Sequence, residues 1–283
     1  MTTKMILLNQ NYNIVSGLNY SKRLLSFSQG EQFIHIVEYS QVNNQLTLLI
    51  SKMSEALKPN IEGNHIGEGG TFEDIIIHQP GIRFIINGGF SHYRKNFYTW
   101  KNQDFNVGDP VGLVKIRNHY FEDLLDINYY GFLVQESKNS KWKITNKIQK
   151  SEKYILGCTP LLILNGDAVN INTEIMNPII GEINPPSVLG HGRFAHPRTA
   201  VGEKDGVIYF VIVEGTNNKG CTLLELQELG LQLGFKNFLN LDGGGSSQFR
   251  VYTKDNIIKN NVSKDDEKRV LGHSLIIFDE TLK

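Results

Sequence analysis

The sequence predicts a mixed α/β domain of the α+β class, rich in β-sheet with a few packed helices, and three observations point to it. Short β-branched and aromatic runs recur along the whole chain, and helical signals are few. No repeat, low-complexity tract or Pro-rich linker divides the 283 residues, so a single domain over 1–283 is expected, with its core at about 17–279.

Taken in order, the strand candidates are Phe33 to Tyr39, Leu46 to Ile50, Arg83 to Ile86, Gly112 to Ile116, Gly131 to Val134, Leu161 to Leu164, Val207 to Val213, Phe238 to Leu241, Gln248 to Tyr252 and Ser274 to Phe278. A short helix over Thr71 to His78 precedes the strand at Arg83. The strongest helical start is Thr222-Leu223-Leu224-Glu225, a capping box whose hydroxyl and carboxylate satisfy free amides of the first turn. Leu226, Leu229 and Leu233 follow at helical spacing, Gly234 reads as the C-cap, and a strand follows from Phe235. Glu62 to Gly70, Asn165 to Pro186 and Asp255 to Glu267 read as surface loops. The middle one, with Asn184-Pro185-Pro186, is a solvated connection or a lid over a site.

Composition narrows the classes. Hydrophobic residues make up 40% and charged residues 20%, and no apolar run reaches the length of a bilayer span, so a membrane partner is not expected. Formal net charge is +0, which removes the broad basic field of a general nucleic-acid binder. Met1 to Gln10 lacks a secretory apolar stretch, and Cys158 and Cys221 are too few for a disulfide framework, so a cytoplasmic, reducing setting is expected. Each Cys reads as a small buried hydrophobe rather than a reactive thiol.

Three apolar runs end in a polar residue followed at once by glycine: Ile86-Asn87-Gly88-Gly89, Val213-Glu214-Gly215 and Leu241-Asp242-Gly243-Gly244-Gly245-Ser246-Ser247. Ligands of open α/β sheets gather beyond such carboxyl ends. Glycine turns sharply and lets backbone amides approach an anion, so the last segment can form an amide nest. A hairpin explains one Asp-Gly, and three glycines with two serines exceed what a hairpin needs. Asn87-Gly88 is also an ordinary turn signal, and Glu214 an ordinary strand end. A second concentration, Gly190-His191-Gly192-Arg193-Phe194-Ala195-His196-Pro197-Arg198-Thr199-Ala200-Val201-Gly202, sets two Arg and two His within eight residues. Forked guanidinium groups suit phosphate, so this segment is an anion clamp or a basic surface loop. No zinc spacing, phosphate-binding P-loop, nucleophile elbow or dinucleotide fingerprint is present, and no cofactor or metal site is assigned. A divalent metal requirement is left open.

At these residues the chain resembles the phosphodiester glycosidase family. The resemblance is carried by Ile86-Asn87-Gly88-Gly89-Phe90, by Arg198-Thr199-Ala200-Val201-Gly202 with Asp205-Gly206, by Thr222 to Leu226, and most specifically by Asn240-Leu241-Asp242-Gly243-Gly244-Gly245-Ser246-Ser247. Weaker similarity runs from about Gly17 to Phe278. It implies one mixed domain that hydrolyses the bond between a sugar anomeric carbon and a phosphodiester, on a small-molecule or glycan substrate. Glu214-Gly215 stands where many relatives carry Asp-Gly, and a secretory signal and disulfide-rich extensions like those of the animal member are not expected.

Such a substrate needs an anion clamp beside carboxylates that manage an oxocarbenium-like centre. Arg198 is the expected clamp, with the amides of Gly243, Gly244 and Gly245 and the hydroxyls of Ser246 and Ser247 on other phosphate oxygens. Asp242 and Glu214 are the candidate base, nucleophile or acid, and Asn87 orients a hydroxyl or water. Gly88, Gly89, His191, Arg193, His196 and Thr199 complete the expected binding set. Two alternatives stay open: a glycoside hydrolase acting on acidic polysaccharide, and a non-catalytic protein that sequesters a sugar phosphate or nucleotide.

Overall fold

The computed structural model describes residues 4–42, 45–52, 71–72, 81–91, 110–122, 130–137, 140–171, 194–216, 219–261 and 271–282. Among these the backbone is predominantly strand. The first four strands are β1 (Lys4–Val15), β2 (Leu18–Phe27), β3 (Gly30–Ser40) and β4 (Leu46–Lys52). Then come β5 (Ile82–Asn87), β6 (Leu113–Ile116), β7 (His119–Glu122), β8 (Gly131–Gln135) and β9 (Lys143–Thr145). Next are β10 (Tyr154–Cys158), β11 (Leu161–Leu164), β12 (Asp167–Ala168), β13 (Arg198–Lys204) and β14 (Val207–Val213). Helix α1 (Leu223–Gln232) leads to β15 (Asn237–Asn240), β16 (Gln248–Tyr252), β17 (Ile257–Asn261) and β18 (His273–Asp279).

Three sheets result, with orders β1-β2-β3-β14-β13-β15-β11-β12, β7-β6-β10-β8-β9 and β17-β16-β5-β18-β4. The ladders within them are antiparallel, as in β13 against β14, where Arg198 faces Val213 and Lys204 faces Val207. All three sheets turn one face onto a shared core that includes Val37, Phe84, Leu133, Leu156, Val201, Phe210, Leu239, Phe249 and Leu275. Each such side chain contributes about 1.5–3 kcal/mol on burial. A second core fills the space between the first sheet and α1, with Ile34, Ile36, Ala200, Val211, Val213, Leu226 and Leu229. Neighbouring residues of β3 and β14 therefore divide between two cores, which is the physical reason these strands read as unbroken apolar runs.

Helix α1 begins as its sequence dictates. Thr222 Oγ1 accepts from the Glu225 amide at 3.2 Å, and Glu225 Oε2 accepts from the Thr222 amide at 2.8 Å. The helix ends at Leu233, and Gly234 follows with φ 74°, the left-handed position that glycine tolerates best. Thr222→Ala is expected to cost about 1 kcal/mol, read as a lower urea midpoint at unchanged slope.

The structure corrects the expected balance of the fold. The expected richness in sheet is present, but the fold is mainly β rather than α+β, with α1 as the one full α-helix among the described residues. All ten expected strand runs fall on strands, with Gly112, Leu241 and the expected start at Phe235 just outside them. Arg198 to Gly202, read as part of a basic loop or clamp, is the start of β13, and Ile257 to Asn261, read as loop, is β17. Both are held by long ladders, which override weak local propensity. The helix expected over Thr71 to His78 falls, past Phe72, outside the described residues, as do Glu62 to Gly70, Asn184-Pro185-Pro186 and residues 262–267. No helix among the described residues is long and apolar enough to cross a membrane.

Candidate active site

Three strand tips meet at one edge. Strands β14 and β15 each pair antiparallel with β13, so they run in the same direction and end beside its start. Glu214 follows β14, Arg198 opens β13, and Asp242 comes two residues after β15. Adjacent strands lie about 4.8 Å apart, so the backbones at Glu214 and Asp242 are roughly 10 Å apart with Arg198 between them. The tips gather at one edge of an antiparallel sheet, in which β13 supplies the common direction.

The tip of β5 comes from the third sheet and is stitched to this edge by Asn87, which is fully buried. Its Nδ2 donates to the Asp242 carbonyl at 2.8 Å and to the Gly88 carbonyl at 3.3 Å. Its Oδ1 accepts from Thr199 Oγ1 at 3.0 Å and from the Gln248 amide at 3.1 Å. The Asp242 amide donates in turn to the Gly88 carbonyl at 3.2 Å. An amide side chain has two donor hydrogens and two acceptor lone pairs, and protein partners take all four. Asn87 is thus a bracket that sets the Asp242 turn.

Around that turn the glycine amides are partly committed. Gly243 N–H donates to Asp242 Oδ1 at 2.9 Å, and Gly244 N–H to the Pro197 carbonyl at 2.8 Å. Gly245 is the loop glycine whose amide has no such partner among the described residues. Gly244 has φ 58°, a backbone state costly to other residues. Gly88 and Gly89 are committed too: Gly88 N–H donates to the His273 carbonyl at 3.1 Å, and Gly89 N–H to His273 Nε2 at 2.9 Å. A Cβ on Gly88 would stand 2.5 Å from His273 Cδ2, so this approach requires glycine.

Arg198 is buried. Its Nε donates to the Cys221 carbonyl at 2.9 Å and its Nη2 to the Phe194 carbonyl at 2.8 Å, tying β13 to the segments on either side of it. Its side chain runs past Gly243, with Cδ 3.8 Å from where a Cβ there would lie. Thr199 is buried and spends its hydroxyl on Asn87. His196 is half-buried, and its backbone forms an antiparallel bridge with Cys221. Ser246 and Ser247 are both buried, and no described residue bonds Ser247 Oγ. His191 and Arg193 lie outside the described residues.

Side chains alternate along a strand, so Arg198, opposite Val213, and Glu214, the next residue after Val213, leave opposite faces of the sheet. Glu214 accepts from His35 at 2.6 Å on the shared-core side. The sequence reasoning missed His35, although a lone polar residue inside Phe33-Ile34-His35-Ile36-Val37 must find a buried partner. His273 was also missed, and no local pattern marks it.

Burial alone pulls His273 down to about 4 from an ordinary imidazole value of 6.5. The folded chain resists a proton that the unfolded chain accepts, so this contribution is complete above pH 6.5 and is lost as pH falls toward 4. The loss amounts to about 3 kcal/mol. Urea midpoints are expected to drop over that window in the wild type and less in His273→Gln. Burial pushes the Cys221 thiol up to about 12 and the Cys158 thiol higher still, so both are inert buried groups. Among the described residues no group of three or more His, Cys, Asp or Glu side chains converges on a metal-binding point.

Comparison with known proteins places this arrangement. The catalytic domain of zebrafish N-acetylglucosamine-1-phosphodiester alpha-N-acetylglucosaminidase, auto-inhibited by its pro-peptide, is similar at TM-score 0.62 and 17% identity, over 99% of this chain and 89% of that one. A hypothetical protein from Synechocystis is similar at TM-score 0.60 and 12% identity, over 97% of this chain and 64% of that one. The SPbeta prophage-derived uncharacterized protein YomE of Bacillus subtilis is 38% identical over 86 residues, 29% of this chain and 13% of that protein. The chain therefore spans less than two thirds of the latter two. The phosphodiester glycosidase family model matches residues 80–278, a span that holds Asn87, Arg198, Glu214 and Asp242, and the chain belongs to that family.

Proposed function

We propose that the protein is a hydrolase that cleaves the bond between a sugar anomeric carbon and a phosphodiester. The observation that carries this reading is the Asn87 bracket, which joins the tip of β5 to the Asp242 turn beside Arg198, using residues within the family match.

Asp242 supplies a carboxylate on a turn fixed at its amide, its carbonyl and one side-chain oxygen. The buried Arg198 cation sets a positive field at that turn, which favours an anionic phosphodiester even while two of its donors hold carbonyls. Gly245 N–H supplies a further donor to phosphate. Glu214, on the far side of β13, is the second carboxylate. A phosphate leaving group carries its own charge, so departure needs less acid assistance than a sugar alkoxide, and the carboxylates serve mainly to activate water or stabilise the anomeric centre.

Purified protein incubated with glycosyl phosphodiesters, including nucleotide sugars, is expected to release free sugar and a phosphomonoester, followed by mass spectrometry. Cleavage of uronate-containing oligosaccharides with the phosphodiesters intact would replace this reading with a polysaccharide hydrolase. Tight binding in calorimetry with ligand recovered whole would replace it with a sequestering protein.

A further inference from the structure

Glu214 does not stand alone. Its Oε1 is 2.6 Å from His35 Nε2, and His35 Nδ1 is 2.8 Å from the Tyr20 hydroxyl. His35 and Tyr20 are buried, whereas the Glu214 side chain keeps 26% of its surface exposed. The three residues come from just past β14, from β3 and from β2, neighbours in the first sheet, with Ile212 facing His35 and Val37 facing Tyr20. The Phe249 ring closes the far side of the imidazole at 4.7 Å between centroids. Phe249 follows Gln248, whose amide bonds Asn87, so the chain of side chains runs up to the bracketed turn.

We propose that Tyr20 and His35 are positioning residues that fix Glu214 Oε1 inside the protein and leave Oε2 as the oxygen offered to substrate or water. This deepens the functional reading above and rests on it for the role of Glu214. No described residue bonds Oε2. Burial draws His35 below the ordinary imidazole range, with the Glu214 hydrogen bond opposing that shift, so the ring is neutral at neutral pH and carries one N–H. Burial, reinforced by the Glu214 charge, pushes the Tyr20 phenol above its ordinary range, so it keeps its proton. One arrangement satisfies all three groups with Glu214 as a carboxylate: the phenol donates to Nδ1, and Nε2–H donates to Oε1. Among the described residues, Lys22 on β2 acts on His35, Tyr12 on β1 lies tilted against Tyr20 at 5.8 Å, and β16 brings the Phe249 ring.

Hydrogen-bond partners that orient metal-ligating side chains typically support about 10–100-fold of activity, and the same order is expected for a carboxylate oriented in the same way. On glycosyl phosphodiesters, His35→Leu and Tyr20→Phe are expected to lower kcat by that order with KM nearly unchanged, and to alter the acid limb of the pH–rate profile. His35→Gln, whose amide N–H reaches about as far as Nε2–H, is expected to recover part of the loss. Nitrogen-15 NMR of the wild type at neutral pH reads the same arrangement without turnover: His35 is expected to carry its proton on Nε2, and Glu214→Gln, which replaces the acceptor-only carboxylate, to mix the tautomers. Folded variants with wild-type kcat and pH profile, or a wild-type His35 protonated on Nδ1, would overturn the positioning role. If the wild type turns over no phosphodiester, the functional reading fails by itself, and the tautomer measurement still decides the relay.

Discussion

Asp242→Asn is expected to lower turnover of glycosyl phosphodiesters about 10²–10⁴-fold, the range that a positioned carboxylate supplies in proton transfer or charge stabilisation. The fold should not register the change. Asp242 holds its turn through its amide on Gly88, its carbonyl on Asn87 and its Oδ1 on the Gly243 amide, and an asparagine Oδ1 still accepts that last bond, as a neutral acceptor. Tm is therefore expected to stay within about 3 °C, since the shift for a chain of this size is about 2–4 °C per kcal/mol. Steady-state kinetics beside a thermal melt checks both halves. Wild-type turnover in the variant would remove Asp242 from the chemistry.

Asn87→Ala is expected to do the opposite and lose stability along with activity. The truncation leaves Thr199 Oγ1, the Gln248 amide and the Asp242 carbonyl without their shared partner in a buried setting. Each such orphan costs about 1–3 kcal/mol, so a total of about 3 kcal/mol or more is expected, with a Tm drop of about 6–12 °C. Activity falls because the bracket no longer fixes the turn that carries Asp242. An unchanged melt with lost activity would instead assign Asn87 to substrate, the role that its place in the sequence first suggested.

These two residues also show what the sequence makes legible. Apolar runs bounded by glycine marked β5, β14 and β15 because strands covered on both faces carry no polar interruption, and the polar residues at their ends marked the meeting edge. The polar hairpin of β1 and β2 carried no such mark. Asn9, Gln10, Asn11 and Asn13 suppress the apolar period, and the ladder that orders them is visible only in three dimensions. Arg198 was legible as a cation, but not as one whose donors hold the carbonyls of Phe194 and Cys221, since that depends on which segments the sheet brings alongside it. The amides of Gly243 and Gly244 looked equally available in a Gly-rich string, and backbone geometry commits them. His35 and Tyr20 are separated by 15 positions and from Glu214 by far more, so their alignment depends on register across three strands.

The Gly88-Gly89 turn rests on His273, 184 positions further along the polypeptide. Strand β5 lies between β16 and β18, so the turn is complete only when both ladders have formed. During synthesis the carboxylates of Glu214 and Asp242 leave the ribosome well before β18 does. The turn beside Asp242 therefore depends on a strand distant in sequence: β18 must pair with β5 for the imidazole to be seated against Gly88 and Gly89.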